Sequence, residues 1–187
     1  WLLDLGLLDQ TYAEWSEAAL SRAKGRPGGE DYVALVAGVD PTVRLDEPEA
    51  QVLAERFTAH LRAAREAGFS DCSPGRFLLP GDLAGSPVLT FAPLPTTRYP
   101  RGSLGREFER RFESYKRNIV RPFFRDHFAK IDRQIVLVDV LGAIHGGPAT
   151  LDDLRTAMAR ILGAFRPGKN AFLTRIFQGR RGEKILF

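Results

Sequence analysis

The run Gln134-Ile135-Val136-Leu137-Val138-Asp139 constrains this chain more than any other stretch. Four consecutive large aliphatics, three of them β-branched, leave no polar face, so the strand they form is expected to be buried on both sides. A strand of that kind belongs in a parallel sheet, and parallel strands need crossover helices. The residues that follow supply them. Gly146-Gly147-Pro148 turns the chain. Thr150 is placed to cap a helix over residues 151–165, with Asp152 and Asp153 in the first turn where the helix dipole favours acids. Pro167-Gly168 breaks that helix, a short helix covers residues 170–177, and Ile185-Leu186-Phe187 opens another strand. Strand, helices, strand is an α/β pattern.

Upstream the pattern is helical. Residues 8–24 set Tyr12, Trp15, Ala19 and Leu20 on one side, and Gly25-Arg26-Pro27-Gly28-Gly29 ends the run. Asp31 can cap a short helix through Ala37, which Gly38 closes. Pro48 suits the first turn of a helix reaching about residue 67, with Val52, Phe57, Leu61 and Ala64 toward the core. Residues 70–102 differ, being dense in Pro and Gly. Phe77-Leu78-Leu79 and Val88-Leu89-Thr90-Phe91 are β-like there, although Pro80, Pro87, Pro93, Pro95 and Pro100 exclude long central strands. So long a loop in a compact domain usually has a function or covers something.

Residues 103–130 hold the longest helical pattern. Leu104, Phe108, Phe112, Tyr115, Ile119 and Phe123 form a continuous stripe, extended by Phe124 and Phe128, as expected of a core-packed helix. Pro122 removes an internal hydrogen bond, so a kink or a new helix is expected there. The same stretch holds the chain's basic character. Residues 98–130 carry ten Lys or Arg against four Asp or Glu, whereas the remainder carries 17 against 19. A solvated helix face accounts for these charges, since Glu107 with Arg111 and Glu113 with Arg117 are spaced i to i+4. No aromatic stacking motif accompanies them, so no specific nucleic-acid partner is expected. The alternative is a non-catalytic module that docks a protein or membrane surface through helix 103–130.

A length of 187 residues with 44% hydrophobic and 27% charged residues suits one soluble core with an insertion. No apolar run approaches a membrane span. The single Cys72 excludes a disulfide framework and a cysteine metal cluster, which fits a reducing, cytoplasmic location. The chain opens on Trp1 without a signal peptide and stops on Ile185-Leu186-Phe187, so an internal fragment is expected.

Asp139 is the leading candidate for chemistry. Ligands of open α/β sheets lie beyond the carboxyl ends of strands, where a carboxylate can hold magnesium through water. Four aliphatics and an Asp form the Walker B pattern, and Asp139-Val140-Leu141-Gly142 matches Asp-x-x-Gly, in which the Gly amide approaches a terminal phosphate. Taken alone, a strand-end Asp is more often a helix cap or turn former. The stretch from Gly163 to Asn170 nearly spells a phosphate-binding loop. Asn170 stands where a hydroxyl is needed, however, and a helix rather than a strand precedes it, so it is read as a chance match. His60, His127 and His145 lack partners at metal-ligand spacing and are expected at the surface.

Three stretches together resemble the YcjX-like family of bacterial P-loop hydrolases. They are residues 1–9, Trp-Leu-Leu-Asp-Leu-Gly-Leu-Leu-Asp; residues 74–83, Pro-Gly-Arg-Phe-Leu-Leu-Pro-Gly-Asp-Leu, leading to Phe91-Ala92-Pro93-Leu94; and residues 122–128, Pro-Phe-Phe-Arg-Asp-His-Phe, running through Asp132 to Asp139. Gly6 stands where the family has Pro, and His145 where it has Asn. The resemblance implies a P-loop sheet with helical insertions that binds and hydrolyses GTP or ATP with Mg2+. It divides the chain into a helical insertion and Pro/Gly-rich connector, 1–102, and a long helix with part of the P-loop core, 103–187. The phosphate loop and a Thr-Lys-x-Asp base-reading motif would lie outside residues 1–187, so the fragment alone would be inactive. Asp139 would be the magnesium-side acid and Gly142 a phosphate contact. Arg98 and Arg101, in the Pro-rich loop, could approach the nucleotide as switch arginines.

Overall fold

The computed structural model describes residues 2–95, 98–127, 133–164 and 184–186. A 3-10 turn, Leu2–Leu7, opens the chain. Helix α1, Tyr12–Ala23, starts four residues later than the apolar spacing implied, because Thr11 forms a capping box. The Thr11 hydroxyl accepts from Glu14 N at 3.2 Å, and the Glu14 carboxylate accepts from Thr11 N at 2.8 Å. Helix α2, Gly29–Ala37, starts ahead of Asp31, at Gly28 with φ 68°. Gly29 is obligatory here, since a Cβ would stand 2.6 Å from the carbonyl carbon of Ala23. The end of α1 and the start of α2 therefore touch backbone to backbone.

Helix α3, Glu47–Glu66, has Pro48 in its first turn as expected. Its buried face is Ala50, Leu53, Ala54, Phe57, His60, Leu61 and Ala64, whereas Val52 faces solvent. Both β-like runs in the Pro-rich stretch turn out helical. Helix α4 is a single turn, Gly75–Leu78, and Pro87–Leu89 is a 3-10 turn. Proline denies ladder donors and presets φ for a turn, and that local preference prevails where no partner strand is present.

The last part of that stretch is core. Phe91, Ala92 and Leu94 are fully buried without regular structure. Their carbonyls still need partners. The hydroxyls of Tyr12, Ser16 and Tyr32 donate to the carbonyls of Ala92, Leu94 and Pro93 at 2.7, 2.5 and 2.9 Å. Trp15 lies at the centre, stacked on Phe112 at 4.9 Å and edge-on to Phe57 and Phe91. Each such pair is worth about 0.5–1.5 kcal/mol beyond the buried area.

Helix α5, Leu104–Tyr115, buries Leu104, Phe108, Phe112 and Tyr115, the expected stripe. In place of a break, a π-helical turn, Lys116–Val120, joins it to α6, Arg121–His127, with Arg121 N bonded to Lys116 O. The widened turn falls just where the carbonyls of a regular helix would meet the ring of Pro122. One apolar core runs from Leu5 to Phe124; Phe128 lies outside the described residues.

Strand β1, Arg133–Ile135, pairs in parallel with β2, Lys184–Leu186, in the register Arg133 to Lys184. Helices α7, Val140–His145, and α8, Pro148–Ala164, lie in the connection between them. The described chain is helix-rich with this one parallel pair. The strand is thus shorter than the run 134–138, because a ladder extends only as far as its partner backbone. It is also not buried: Ile135 is 75% and Leu137 93% exposed. No described element covers that face. The expected helix 170–177 and most of the near phosphate loop lie outside the described residues, and its first residue, Gly163, belongs to α8. No described helix is long and apolar enough to cross a membrane.

Candidate functional site

Beyond β1 the chain runs irregularly through residues 136–139 and then turns into α7. Asp139 is the N-cap of that helix, and its Oδ1 accepts the N–H of Gly142 at 2.8 Å. A Cβ at Gly142 would run into Asp139 Oδ2, 2.8 Å from its carboxyl carbon, so a larger residue there would have to displace that exposed side chain from its cap. The Asp-x-x-Gly spacing is therefore a closed cap in this structure. Asp139 is exposed, and among the described residues its Oδ2 accepts no hydrogen bond. An exposed carboxylate four residues beyond the strand, with one oxygen unbonded among the described residues, fits a magnesium ion held through water. Gly142 fits a phosphate less well, because its amide is already committed to Asp139. No group of three potential metal ligands occurs among the described residues.

Arg98 and Arg101 are exposed on the loop before α5. That loop is tied to the start of α3, through Leu45 N to Gly102 O at 3.0 Å and a bridge between Arg44 and Ser103. Among the described residues no hydrogen bond or ion pair brings either arginine to Asp139. The structure unites two of the four candidate residues and leaves the other two on another loop. His145 is exposed at the end of α7, and the side chain of His127 lies outside the described residues. His60, expected at the surface, is buried instead, with Nδ1 donating to Pro27 O at 2.9 Å. Burial pushes its pKa below the usual imidazole range, against the hydrogen bond to Pro27.

The charges on α5 and at Lys116 are paired in place. Arg106 pairs with Glu109, Arg110 with Glu107, and Lys116 with Glu113, which displaces the expected Glu113–Arg117 pair. Arg111 pairs with Glu107 as its spacing implied, and is also buried against Glu47, its fork bonding both carboxylate oxygens at 2.9 and 2.6 Å. On α5 itself Arg106, Arg110 and Arg111 are all paired with acids.

A polar cluster with no obvious sequence motif lies where α8 meets the helical body. Asp71 is buried and receives Arg22 Nε at 3.4 Å, the Ser73 hydroxyl at 3.0 Å, and Arg160. Burial alone would raise its pKa, but Arg22 and Arg160 hold it below the usual carboxylate range. Asp153 is buried as well, accepting Ser70 N at 2.6 Å, Asp71 N at 3.1 Å, and Arg26. Its neighbour Asp152 is exposed, and because α8 begins at Pro148 with no acid in its first turn, neither residue takes the expected dipole position. One signal was present: Asp153, Ala157 and Ile161 are spaced by four, which sets an acid on the buried side of α8. Near the same junction, Asp4 accepts Gly75 N at 3.0 Å and the Tyr115 hydroxyl at 2.8 Å, and burial pushes its carboxyl above the usual range.

The comparisons bear on the whole chain. The family model that matches residues 1–187 is that of the YcjX-like family. Among curated proteins, the chain is similar to the Ras-like GTPase YcjX of Escherichia coli strain K12, 34% identical over 191 residues, covering 95% of this chain and 40% of that protein. It is also similar to the Ras-like GTPase YcjX of Shewanella oneidensis, 32% identical over 200 residues, covering all of this chain and 41% of that protein. The chain spans about two fifths of the length of these relatives. With a match along its full length and the motifs around Asp139 in place, the chain belongs to the YcjX-like family.

Proposed function

We propose that this chain is part of a P-loop protein that binds and hydrolyses a nucleoside triphosphate, with GTP favoured over ATP by the names of the two relatives. The observation that carries the reading is Asp139, exposed beyond a parallel strand with one carboxylate oxygen unbonded among the described residues. In this reading β1 and β2 are two strands of a P-loop sheet, residues 1–102 an inserted helical region and connector, and residues 103–187 the long helix with part of the nucleotide-binding core. Magnesium, when bound, neutralises charge on the transferring phosphoryl group. Asp139 would hold such an ion through water, by the oxygen its cap leaves over. Gly142 offers its amide to phosphate once the Asp139 side chain releases it. Arg98 and Arg101 serve as switch arginines when their loop turns toward the nucleotide. The phosphate loop and base-reading segment are supplied from outside these residues, so the 187 residues alone bind nucleotide weakly.

Asp139→Asn in a family-length protein tests the reading, because Asn caps a helix as well as Asp and only the charge is lost. GTP hydrolysis should fall by about 10- to 100-fold, roughly the 1.4–2.7 kcal/mol of one charged metal-side contact, and half-saturating magnesium should rise. Unchanged magnesium dependence would remove Asp139 from the site.

A further inference from the structure

Helices α7 and α8 carry little apolar attachment. Their buried apolar side chains are Ala143, Ala157 and Ile161, none of them in the core that runs from Leu5 to Phe124. Val140, Leu141, Ile144 and Leu151 are exposed. Small apolar contacts resist separation but allow sliding, whereas hydrogen bonds fix distance and angle. Leu154, Met158 and Leu162 of α8 add half-buried apolar area, and the contacts that fix distance and angle for this helix pair are polar.

The polar contacts follow one another along α7 and α8. Asp139 accepts from Gly142 N. The next residue, Ala143, offers its carbonyl to the buried Thr150 hydroxyl at 2.8 Å, and that hydroxyl also reaches Gly147 O at 2.8 Å. The expected N-cap role of Thr150 is thus replaced by a clamp between α7 and α8. One turn on, Asp153 accepts the amides of Ser70 and Asp71, with Arg26 as counter-ion. Two turns further, Arg160 pairs with Asp71, which also holds Arg22 from α1. Arg26 closes the circuit by donating to Asp71 O at 2.8 Å. Each link is one side chain, and all but the first are buried or half-buried.

Resting on the reading of Asp139 above, we propose that Thr150, Asp153 and Arg160 are positioning residues: together with Asp71 and Arg26 they anchor α8 to the helical body, and through α8 and α7 they set where Asp139 and Gly142 stand. They touch no nucleotide in this scheme. Their contribution is the placement of a segment with only three buried apolar side chains of its own among the described residues.

The test uses a family-length protein and two readouts, amide exchange without nucleotide and the magnesium dependence of GTP hydrolysis. Thr150→Val keeps volume and loses the hydroxyl, Thr150→Ser keeps the hydroxyl, and Asp153→Asn keeps an acceptor and loses the charge. Thr150→Val and Asp153→Asn should raise exchange across residues 139–147 by about tenfold, the equivalent of one lost hydrogen bond. Exchange across α1, α3 and α5 should stay unchanged. Thr150→Ser should restore protection. Half-saturating magnesium should rise severalfold with kcat less affected. Unchanged exchange at 139–147 overturns the proposal. So does faster exchange without a magnesium effect if Asp139→Asn itself shifts the magnesium response. If neither the positioning variants nor Asp139→Asn move that response while exchange at 139–147 still rises, the anchoring stands and the assignment of Asp139 falls.

Discussion

His60 and Arg111 are polar side chains on buried helix faces, made tolerable in one case by a single carbonyl and in the other by two carboxylates. His60 donates a hydrogen bond to Pro27 O and burial disfavours its charged form, so the unfolded chain protonates first as pH falls. A depressed imidazole pKa adds a stability that rises with pH and is lost below about 6.5. Urea midpoints measured from pH 7.5 down to 5 should therefore decline in the native protein, and His60→Gln should flatten that slope. Arg111→Met should cost about 2 kcal/mol in the same assay, below the usual 3–5 for a broken buried pair because Glu47 is 52% exposed and can rehydrate. Arg111→Lys should not rescue it, since an ammonium lacks the fork that meets both Glu47 oxygens. The Glu107 half of this arrangement was readable from its spacing of four. The Glu47 half was not, because 64 residues separate the partners and only the packing of α3 against α5 joins them.

Elements with their own periodicity were legible, and those shaped by partners were not. The stripe on α5 and the Pro-started α3 follow from spacing and caps, which are local properties. The π-helical turn before Pro122 answers a constraint that was visible, by a route that was not: the tertiary contacts of Tyr115 and Phe124 on either side hold the helix together through the proline. The runs 77–79 and 88–91 had strand-like composition, but propensity for a strand is fulfilled only by a neighbouring strand. The same dependence shortens β1. Of the candidate site, the Asp139–Gly142 relation was legible because it spans three residues. The anchoring of α8 was hidden, because Asp71, Asp153 and Arg160 become neighbours only when the chain folds. At the α1–α2 junction the spacing is set by one atom. Gly29→Ala should destabilise by about 3 kcal/mol or more in urea titration, since the backbone of Ala23 cannot yield as a side chain can. Gly25→Ala places a Cβ in open space and should cost only the penalty of its positive φ, about 1 kcal/mol.

Over the whole molecule, the charge cluster at α8 couples cohesion to acidity. The Asp71 carboxyl is held below its ordinary value of 3.8, so its stabilisation is present above that pH and is lost as pH falls through the folded value. Asp71→Asn should lower stability at pH 7 and make the acid limb below pH 4 shallower, as followed by circular dichroism. Isolated residues 1–187 should show no tight magnesium-dependent nucleotide binding by calorimetry, and tight binding would place the whole site within these residues. The centre of the core has one further consequence, for the order of synthesis. Trp15 is enclosed by Phe57, Phe91 and Phe112, and α1 pins its hydroxyls to carbonyls 78 and 80 residues later. On a ribosome adding roughly 5–20 residues per second, the indole therefore waits on the order of 5–20 s for the last of these rings to be made. Throughout that interval the nascent chain carries an amphipathic α1 with its apolar side open, which is the kind of surface a chaperone binds.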